Sequence, residues 1–460
     1  MGCSSNHSTI QLTQVRTTFI LHPIHNLHPN PSHNLCNMKV IIIGGGIGGL
    51  TLAHGLQKAG VPVQVFEQQA HKTENLAGYG IHIDRSGRQA LRACLPLSNW
   101  TRLQGLFTSA GTKLYFRDPQ LNVLAEKDEA ELSGKPEQEV ERSGIPRVDL
   151  RDALLDGLDG VVQWGKAFEK YEKLSDGTVR VYFDDGTTSD GDLLIGADGP
   201  NSKVRQQVLP VVQRLDLGVT AIAGRYILDD EKIKRLTPEI TNGSLNNIVP
   251  TGKGWMFTSA WRSRPVADEK KTVEQTAGRV AEHYVVWAYV LPSKDAPEGA
   301  ERRDLSMLHK IVAKGIKNWS PELQELINGA DPSATKCFPL KSMPILEPWD
   351  SSSVTLLGDA IHNMTPMAGK GANTALRDAE VLTKFLVDAA AGRTTLLESV
   401  KLYEDEMRGY ANEALGMSTQ NALNACNGGT IQRLFFKGFL YVVETFPSVK
   451  RATLGKTAAK

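Results

Sequence analysis

The amino-acid sequence predicts an α/β protein: a Rossmann-like nucleotide-binding domain interleaved with a smaller antiparallel sheet and followed by C-terminal helices. Three observations carry this. A strand, glycine turn, helix and second strand occupy Lys39 to Glu67, KVIIIGGGIGGLTLAHGLQKAGVPVQVFE. Two further apolar strands, Leu193 to Ile195 and Val354 to Leu357, run straight into glycine-flanked turns at Gly196 and Gly358. Between those turns, after about residue 215, aromatic and β-branched stretches alternate with polar loops, as in an antiparallel sheet.

The first unit is the most specific. Val40 to Ile43 is a short all-apolar run of the kind that fills a buried parallel strand, and Gly44, Gly46 and Gly49 follow it as G-x-G-x-x-G. In this spacing the first glycine allows a tight turn, the second lets the backbone approach a pyrophosphate, and the third lets helix and strand pack closely. The diphosphate then meets the positive end of the helix marked by Leu50, Ala53, Leu56 and Ala59. Glu67 closes the second strand, where a carboxylate accepts both hydroxyls of a ribose; an acid there selects FAD or NAD over NADP.

Composition narrows the remaining classes. The chain has 460 residues, 52 basic against 51 acidic, so no nucleic-acid footprint is indicated. Its five cysteines are scattered without a C-x-x-C pair, which excludes a disulfide framework or a zinc site and fits a reducing compartment, the cytoplasm. No uncharged apolar run approaches the ~20 residues of a membrane span. Residues 1–37, rich in His, Asn, Ser and Pro, are expected to be disordered or an upstream extension, with Met38 as the working start.

In order, residues 38–215 form the first part of the nucleotide-binding domain, 216–345 mainly a substrate domain, 346–395 the return to the first domain, and 396–460 a helical region. After Glu67 a short strand is predicted through Ile83, then a helix from Ser86 to Cys94. Glu126 to Glu141, dense in acids, reads as a solvated loop. A helix begins near Arg147, and hairpin strands flank Asp185-Gly186. Ala221 to Leu228, Ile248 to Val249, Gly254 to Ala260 and Tyr284 to Leu291 read as sheet strands; Leu305 to Ile316 and Pro321 to Ile327 read as helices. A long helix starts at Gly371 and another covers Leu396 to about Met417. The aromatic-rich tail from Ile431 to Val443 reads as a helix packed over the protein, with peripheral membrane contact as the alternative.

Taken together, the three glycine turns in their order resemble those of the single-component flavin-dependent aromatic hydroxylases, of the p-hydroxybenzoate and salicylate hydroxylase type, and especially the fungal biosynthetic and tetracycline-inactivating branches. The resemblance spans about Met38 to Tyr410. It implies that Gly44, Gly46, Gly49 and Glu67 hold the ADP half of FAD, and that Arg147 lies toward the flavin. Asp198 and Gly199 belong to a second FAD-contacting turn. Gly358 and Asp359 form a third, whose aspartate binds the ribityl chain, and Gly369, Gly371, Ala372 and Asn373 border the isoalloxazine. Lys370 departs from the family, which more often has glutamine there; it reads either as a cation near the pyrimidine edge that stabilises the reduced, anionic flavin or, the simpler expectation, as a side chain pointing to solvent. His362 reads as a packing residue, not a base.

The resemblance further implies that NADPH or NADH reduces FAD during a transient visit, since no second complete G-x-G-x-x-G follows a strand. O₂ then forms a C4a-hydroperoxyflavin that hydroxylates a small aromatic or polycyclic secondary metabolite, with epoxidation and Baeyer–Villiger insertion as alternatives. An oxidoreductase without oxygen transfer, or a silent FAD-binding protein, are the rival functions. No catalytic side chain is assigned, because the flavin carries the chemistry. Substrate contacts are expected from Arg225, Tyr226, Trp255 and Phe257 on the sheet, with His82 and Arg85 from the first domain.

Overall fold

Val40–Ile43, buried at every position, sits at the centre of a five-stranded parallel sheet. The order across it is Val354–Leu356, Leu193–Gly196, Val40–Ile43, Val63–Glu67 and Val162–Trp164. Each pair is in parallel register, Ile42 opposite Ile195 on one side and Val65 on the other. The computed structural model describes residues 38–71, 80–109, 113–133, 143–262, 283–296, 299, 305–427 and 429–454. Residues 1–37, and the segment 134–142 of the acidic stretch, lie outside them.

Helix Ile47–Lys58 leaves the central strand and packs on helix Gly371–Ala390, which in turn packs on Arg85–Cys94 and on Leu396–Asn427. The last helix runs well past the expected end near Met417, because Ala422 and Ala425 extend its buried face onto the second sheet. A three-stranded antiparallel sheet, Thr188–Gly191, Val179–Phe183 and Phe168–Lys173, closes one flank. A small ribbon of Gly80–Ile83, Ser143–Pro146 and Thr108–Ser109 lies toward the second sheet.

That second sheet has seven strands in the order Lys336–Ser342, Leu215–Leu228, His283–Pro292, Trp255–Arg262, Leu245–Ile248, Lys113–Arg117 and Val123–Asp128. Two of them come from before residue 215, so the interleaving begins earlier than composition suggested. Val123–Asp128 and the short helix Glu129–Ser133 also replace part of the predicted solvated loop. The acids there are neutralised across the edge pair: Lys113 Nζ lies 2.9 Å from Glu126 and 3.5 Å from Asp128. Charge density marked a sheet edge, which tolerates charge, and not a loop.

The two faces of this sheet have different fates. Ile222, Tyr226, Met256, Val285 and Trp287 share one face and are buried under helices Leu305–Gly315 and Pro321–Asn328. Tyr226 is fully buried there and donates to Glu325 at 2.8 Å. It therefore cannot be a substrate contact, contrary to expectation: a shift of one position in a strand moves a side chain to the opposite face. Ala223, Arg225, Ile227, Phe257, Trp261, Tyr284 and Val286 occupy the other face.

Trp261 joins the two halves of the molecule. Its six-membered ring lies so close over Gly80 that a Cβ there would meet it at 2.2 Å, and a Cβ on Gly144 would meet it at 2.9 Å. The His82 ring stacks alongside at 4.6 Å between centroids. Both glycines are thus demanded by an indole from the other half. Gly80→Ala is expected to lower stability by about 1–3 kcal/mol, the usual cost of overpacking, measured by urea unfolding. Gly105→Ala, with open space around its Cβ, serves as the control that leaves packing undisturbed.

Candidate flavin site

Four cofactor elements stand at the carboxyl ends of four neighbouring parallel strands, the place where an open α/β sheet offers a crevice. The first turn is shaped by close backbone approach. Gly44 has φ +114°, and a Cβ on it would strike Ala197 O at 2.3 Å; one on Gly49 would strike Gly44 O at 2.3 Å. Gly46 differs, since its missing Cβ faces open space. It precedes helix Ile47–Lys58, whose first turn has neither a side-chain cap nor an acid, so its N–H groups are available to an anion.

Glu67 is buried beside this turn. Its Oε2 accepts Gly45 N at 2.8 Å and its Oε1 accepts Gln69 N at 2.9 Å. A carboxylate offers about four acceptor positions, so two are left for ribose hydroxyls. Arg151 approaches Glu67 at 3.9 Å, donates to Gly45 O at 3.3 Å and lies over the Trp164 ring. Its position one helical turn beyond Arg147 hid it in the sequence; Arg147 itself is exposed at the helix start.

The second turn is built around Asp198. Its Oδ2 accepts Lys203 N at 2.8 Å and Val204 N at 3.3 Å, while its buried Oδ1 has no partner among the described residues. Burial pushes this carboxyl above the usual range. Gly199 follows with φ +77°, and Ser202 caps the short helix Lys203–Val208 through Arg205 N. Arg205 then reaches across to Ala360 O at 2.7 Å, which ties the second turn to the third.

Gly358 takes φ +64°, and its N–H donates to Asp378 Oδ2 at 2.8 Å. The same oxygen lies 2.6 Å from His362 Nε2, and Tyr410 donates to Asp378 Oδ1 at 2.7 Å. All of Asp378 and His362 is buried. Burial alone would favour neutral imidazole, but the charge and hydrogen bond of Asp378 outweigh it and hold His362 above its ordinary range. His362 is thus a packed, structural residue, as its sequence position suggested. Asp359, next to Gly358, is exposed and makes no hydrogen bond among the described residues.

The third turn continues through Gly369, in the left-handed region at φ +63°, to the uncapped start of helix Gly371–Ala390, where Gly371 and Ala372 are half-buried. Lys370 is part-exposed but not free in solvent. Its Nζ pairs with Asp84 at 2.8 Å, because Asp84 sits at the start of helix Arg85–Cys94 facing this turn. Asn373 completes the link: its side chain donates to His82 O at 2.9 Å and accepts Asp84 N at 3.0 Å. Burial works against the Asp84 carboxylate, but the Lys370 charge and hydrogen bond outweigh it and lower its pKa.

Above these turns lies the open face of the second sheet. Met367 of the third turn packs against the cluster that includes Val219, Ala221 and Trp255. Arg225, Ile227, Phe257 and Ala288 are half-buried on that face. Trp255 is excluded from this stretch: it is covered by Phe436 at 6.2 Å and bonded to Asn247 at 3.2 Å. Arg225 lies over the Tyr284 ring, while Arg85 opens its helix beside Asp84. Trp261, which the sequence did not single out, is a buried indole whose Nε1 has no partner among the described residues. The pattern of alternate residues from Phe257 would have reached it.

An open cradle at Gly46, two uncapped helix starts, an unpartnered buried carboxylate oxygen and an exposed strand-end aspartate together fit a flavin dinucleotide. Comparison with known proteins agrees. Residues 297–417 match the FAD binding domain model, and residues 42–82 match the NAD(P)-binding Rossmann-like domain model. The chain is 31% identical over 353 residues to the FAD-dependent urate hydroxylase of Klebsiella oxytoca, covering 75% of this chain and 80% of that one. A crystal structure from Photorhabdus luminescens, of a protein assigned to the FAD-containing monooxygenases, superposes with TM-score 0.77 at 40% identity, covering 84% of this chain and 98% of that one. The class is therefore a flavoprotein with the Rossmann-like fold.

More particularly, the chain belongs to the FAD-dependent monooxygenases, and FAD is its cofactor. It is also 28% identical over 401 residues to the dual O-methyltransferase/FAD-dependent monooxygenase of Cercospora beticola, 82% of this chain but 45% of that one. The chain thus spans somewhat under half the length of that dual enzyme.

Two outcomes follow from this geometry. Glu67→Ala is expected to weaken FAD binding about ten- to hundredfold, the loss of charge-assisted hydrogen bonds, measured by fluorescence titration. For His362, a folded pKa above the unfolded value means that the pair stabilises fully below pH 6.5 and loses its effect as pH rises through the folded value. His362→Gln should therefore cost about 3 kcal/mol at low pH and progressively less above neutrality, read from urea unfolding as a function of pH.

Proposed function

We propose that the chain is an NAD(P)H-dependent hydroxylase of a small aromatic or polycyclic compound, working in a reducing compartment such as the cytoplasm. The observation that supports this best is the juxtaposition of the flavin turns with a sheet face carrying Phe257, Ile227, Arg225 and Trp261. When bound, FAD would supply the oxygen-activating chemistry, with a nicotinamide as electron donor and O₂ as the oxygen source.

The chain's own residues do the rest. Glu67 and the start of helix Ile47–Lys58 hold the ribose and diphosphate, and Asp359 receives hydroxyls of the ribityl chain. The Asp84–Lys370–Asn373 contacts hold the turn beside the ring at a set distance from His82. Phe257 and Ile227 offer apolar surface to a planar ring, and Arg225 favours a substrate with an acidic or phenolate oxygen. Trp261 and the ribbon under it help keep water from that space, which an oxygen-transfer site requires. The urate hydroxylase among the relatives supports a heteroaromatic substrate class.

The test is oxygen uptake by the FAD-loaded chain with NADPH or NADH across phenols, fused-ring phenols and purines. A substrate that stimulates NAD(P)H oxidation, with one O₂ consumed and one oxygen atom added per turnover, is the expected result. Stimulated NAD(P)H oxidation without oxygen incorporation in every case would instead indicate an oxidoreductase. Arg225→Ala should raise KM for acidic substrates about tenfold or more, with little effect on FAD binding.

A further inference from the structure

The registers of the central strands lay out the open face of the second sheet as a grid. Across strands Trp255–Arg262, His283–Pro292 and Leu215–Leu228, Ser259 stands opposite Val286, and Val286 opposite Arg225. In the next row Trp261 stands opposite Tyr284, and Tyr284 opposite Ile227. Trp261, Tyr284 and Val286 form one buried apolar cluster, with Ile227 and Phe257 packed against it.

Two polar atoms interrupt this apolar surface. Ser259 is 1% exposed and Trp261 7%, yet neither Ser259 Oγ nor Trp261 Nε1 has a hydrogen-bond partner among the described residues. The two residues are two positions apart on one strand, hence on one face, with Cα atoms roughly 7 Å apart. It is the six-membered ring of Trp261, at Cε3 and Cζ3, that lies on Gly80 and Gly144. Nε1 is on the opposite edge of the indole, turned away from the ribbon. A buried donor without an acceptor is costly, and native interiors hold few of them.

The sheet carries a second such pair, Thr258 Oγ1 and Trp287 Nε1, and its surroundings differ. Thr258 and Trp287 stand opposite each other on the face sealed by helices Leu305–Gly315 and Pro321–Asn328, with the His309 ring edge-on to the indole. That pair is closed to any ligand. Ser259 and Trp261 share their face with Arg225, Ile227 and Phe257, which are only half-buried.

We infer that Ser259 Oγ and Trp261 Nε1 are specificity-determining donors, which hydrogen-bond an oxygen-bearing edge of an aromatic substrate whose acidic end faces Arg225. This rests on the function proposed above and narrows its substrate class. An indole N–H only donates, so the group it takes is an acceptor, a carbonyl or hydroxyl oxygen, and the Ser259 hydroxyl donates to the same edge. Arg225 lies beyond Val286, two strand spacings or roughly 10 Å from Ser259. The substrate therefore carries oxygen functions at two ends of its ring system, with the apolar cluster against the rings between them. An analogue without the second oxygen leaves both donors unpaired and is rejected.

The experiment is titration of the FAD-loaded full chain with matched aromatic acids, followed by the change in flavin absorbance. The pairs are 6-hydroxy-2-naphthoate against 2-naphthoate, and anthraquinone-2-carboxylate against anthracene-2-carboxylate. Wild type is expected to bind the member with the second oxygen about tenfold or more tightly. Ser259→Ala should cut that preference about threefold or more by weakening that member alone, with the melting temperature unchanged or raised, because it deletes an unpaired hydroxyl. Trp261→Phe, which keeps a ring on the glycines but removes the N–H, should do the same to the preference. Thr258→Val, on the sealed face, should leave it as in wild type. Equal binding of both members by wild type, or an unaltered preference in Ser259→Ala, overturns the inference while the hydroxylase reading stands. A lowered melting temperature in Ser259→Ala with the preference kept would make Ser259 a packing residue and overturns it too. If no aromatic acid binds and none stimulates NAD(P)H oxidation, the proposed function fails and takes this inference with it.

Discussion

Two backbone approaches too close for any Cβ set the spacing on which the cofactor site depends. Gly44 lies against Ala197 O, and Gly49 against Gly44 O, both at distances that any other residue would break. The first contact brings the first turn against the second; the second presses helix Ile47–Lys58 onto its own strand. The third turn is bound to this pair by Arg205 through Ala360 O, and its own shape is held from behind by Asp378. A carboxylate with no exposure is costly unless fully bonded, and Asp378 is bonded on both oxygens by Gly358, His362 and Tyr410. The exposed faces of the turns can therefore be left uncapped for a ligand while the third turn is tied from its buried side.

Much of the flavin half was legible because its chemistry is local. A glycine spacing, an apolar strand before it and an acid at the next strand end lie within Lys39 to Glu67, and each has a physical role that neighbouring residues reveal. Long-range partners left no such mark. Arg151 reaches Glu67 across 84 positions of sequence, and Asp378 looks like any polar residue of a long helix until Gly358 and His362 are placed against it. The Lys370 pair left no mark for the same reason: its partner, Asp84, lies 286 residues away.

The substrate half was legible as material and not as orientation. Aromatic and β-branched runs marked the strands correctly, but side-chain direction depends on register and on which face the helices cover. Arg225 and Tyr226 are neighbours in sequence, yet one lies on the open face and the other is sealed against Glu325. Trp255 and Phe257 share a face, but the C-terminal helices cover only the first of them. Alternation identifies pairs of residues that belong together; only the packed partner says which member of each pair meets the ligand.

The contact between the halves is of two kinds. On the flavin side it is made of short polar links, Lys370 to Asp84 and Asn373 to both Asp84 N and His82 O, which fix distance and direction. On the sheet side it is an indole resting on two glycines, a contact of shape without a hydrogen bond at Nε1. Directional bonds resist small displacements, whereas a flat ring over bare backbone tolerates sliding along its plane. The third turn is thus fixed in distance and direction by polar links, whereas the sheet face meets the ribbon by shape alone.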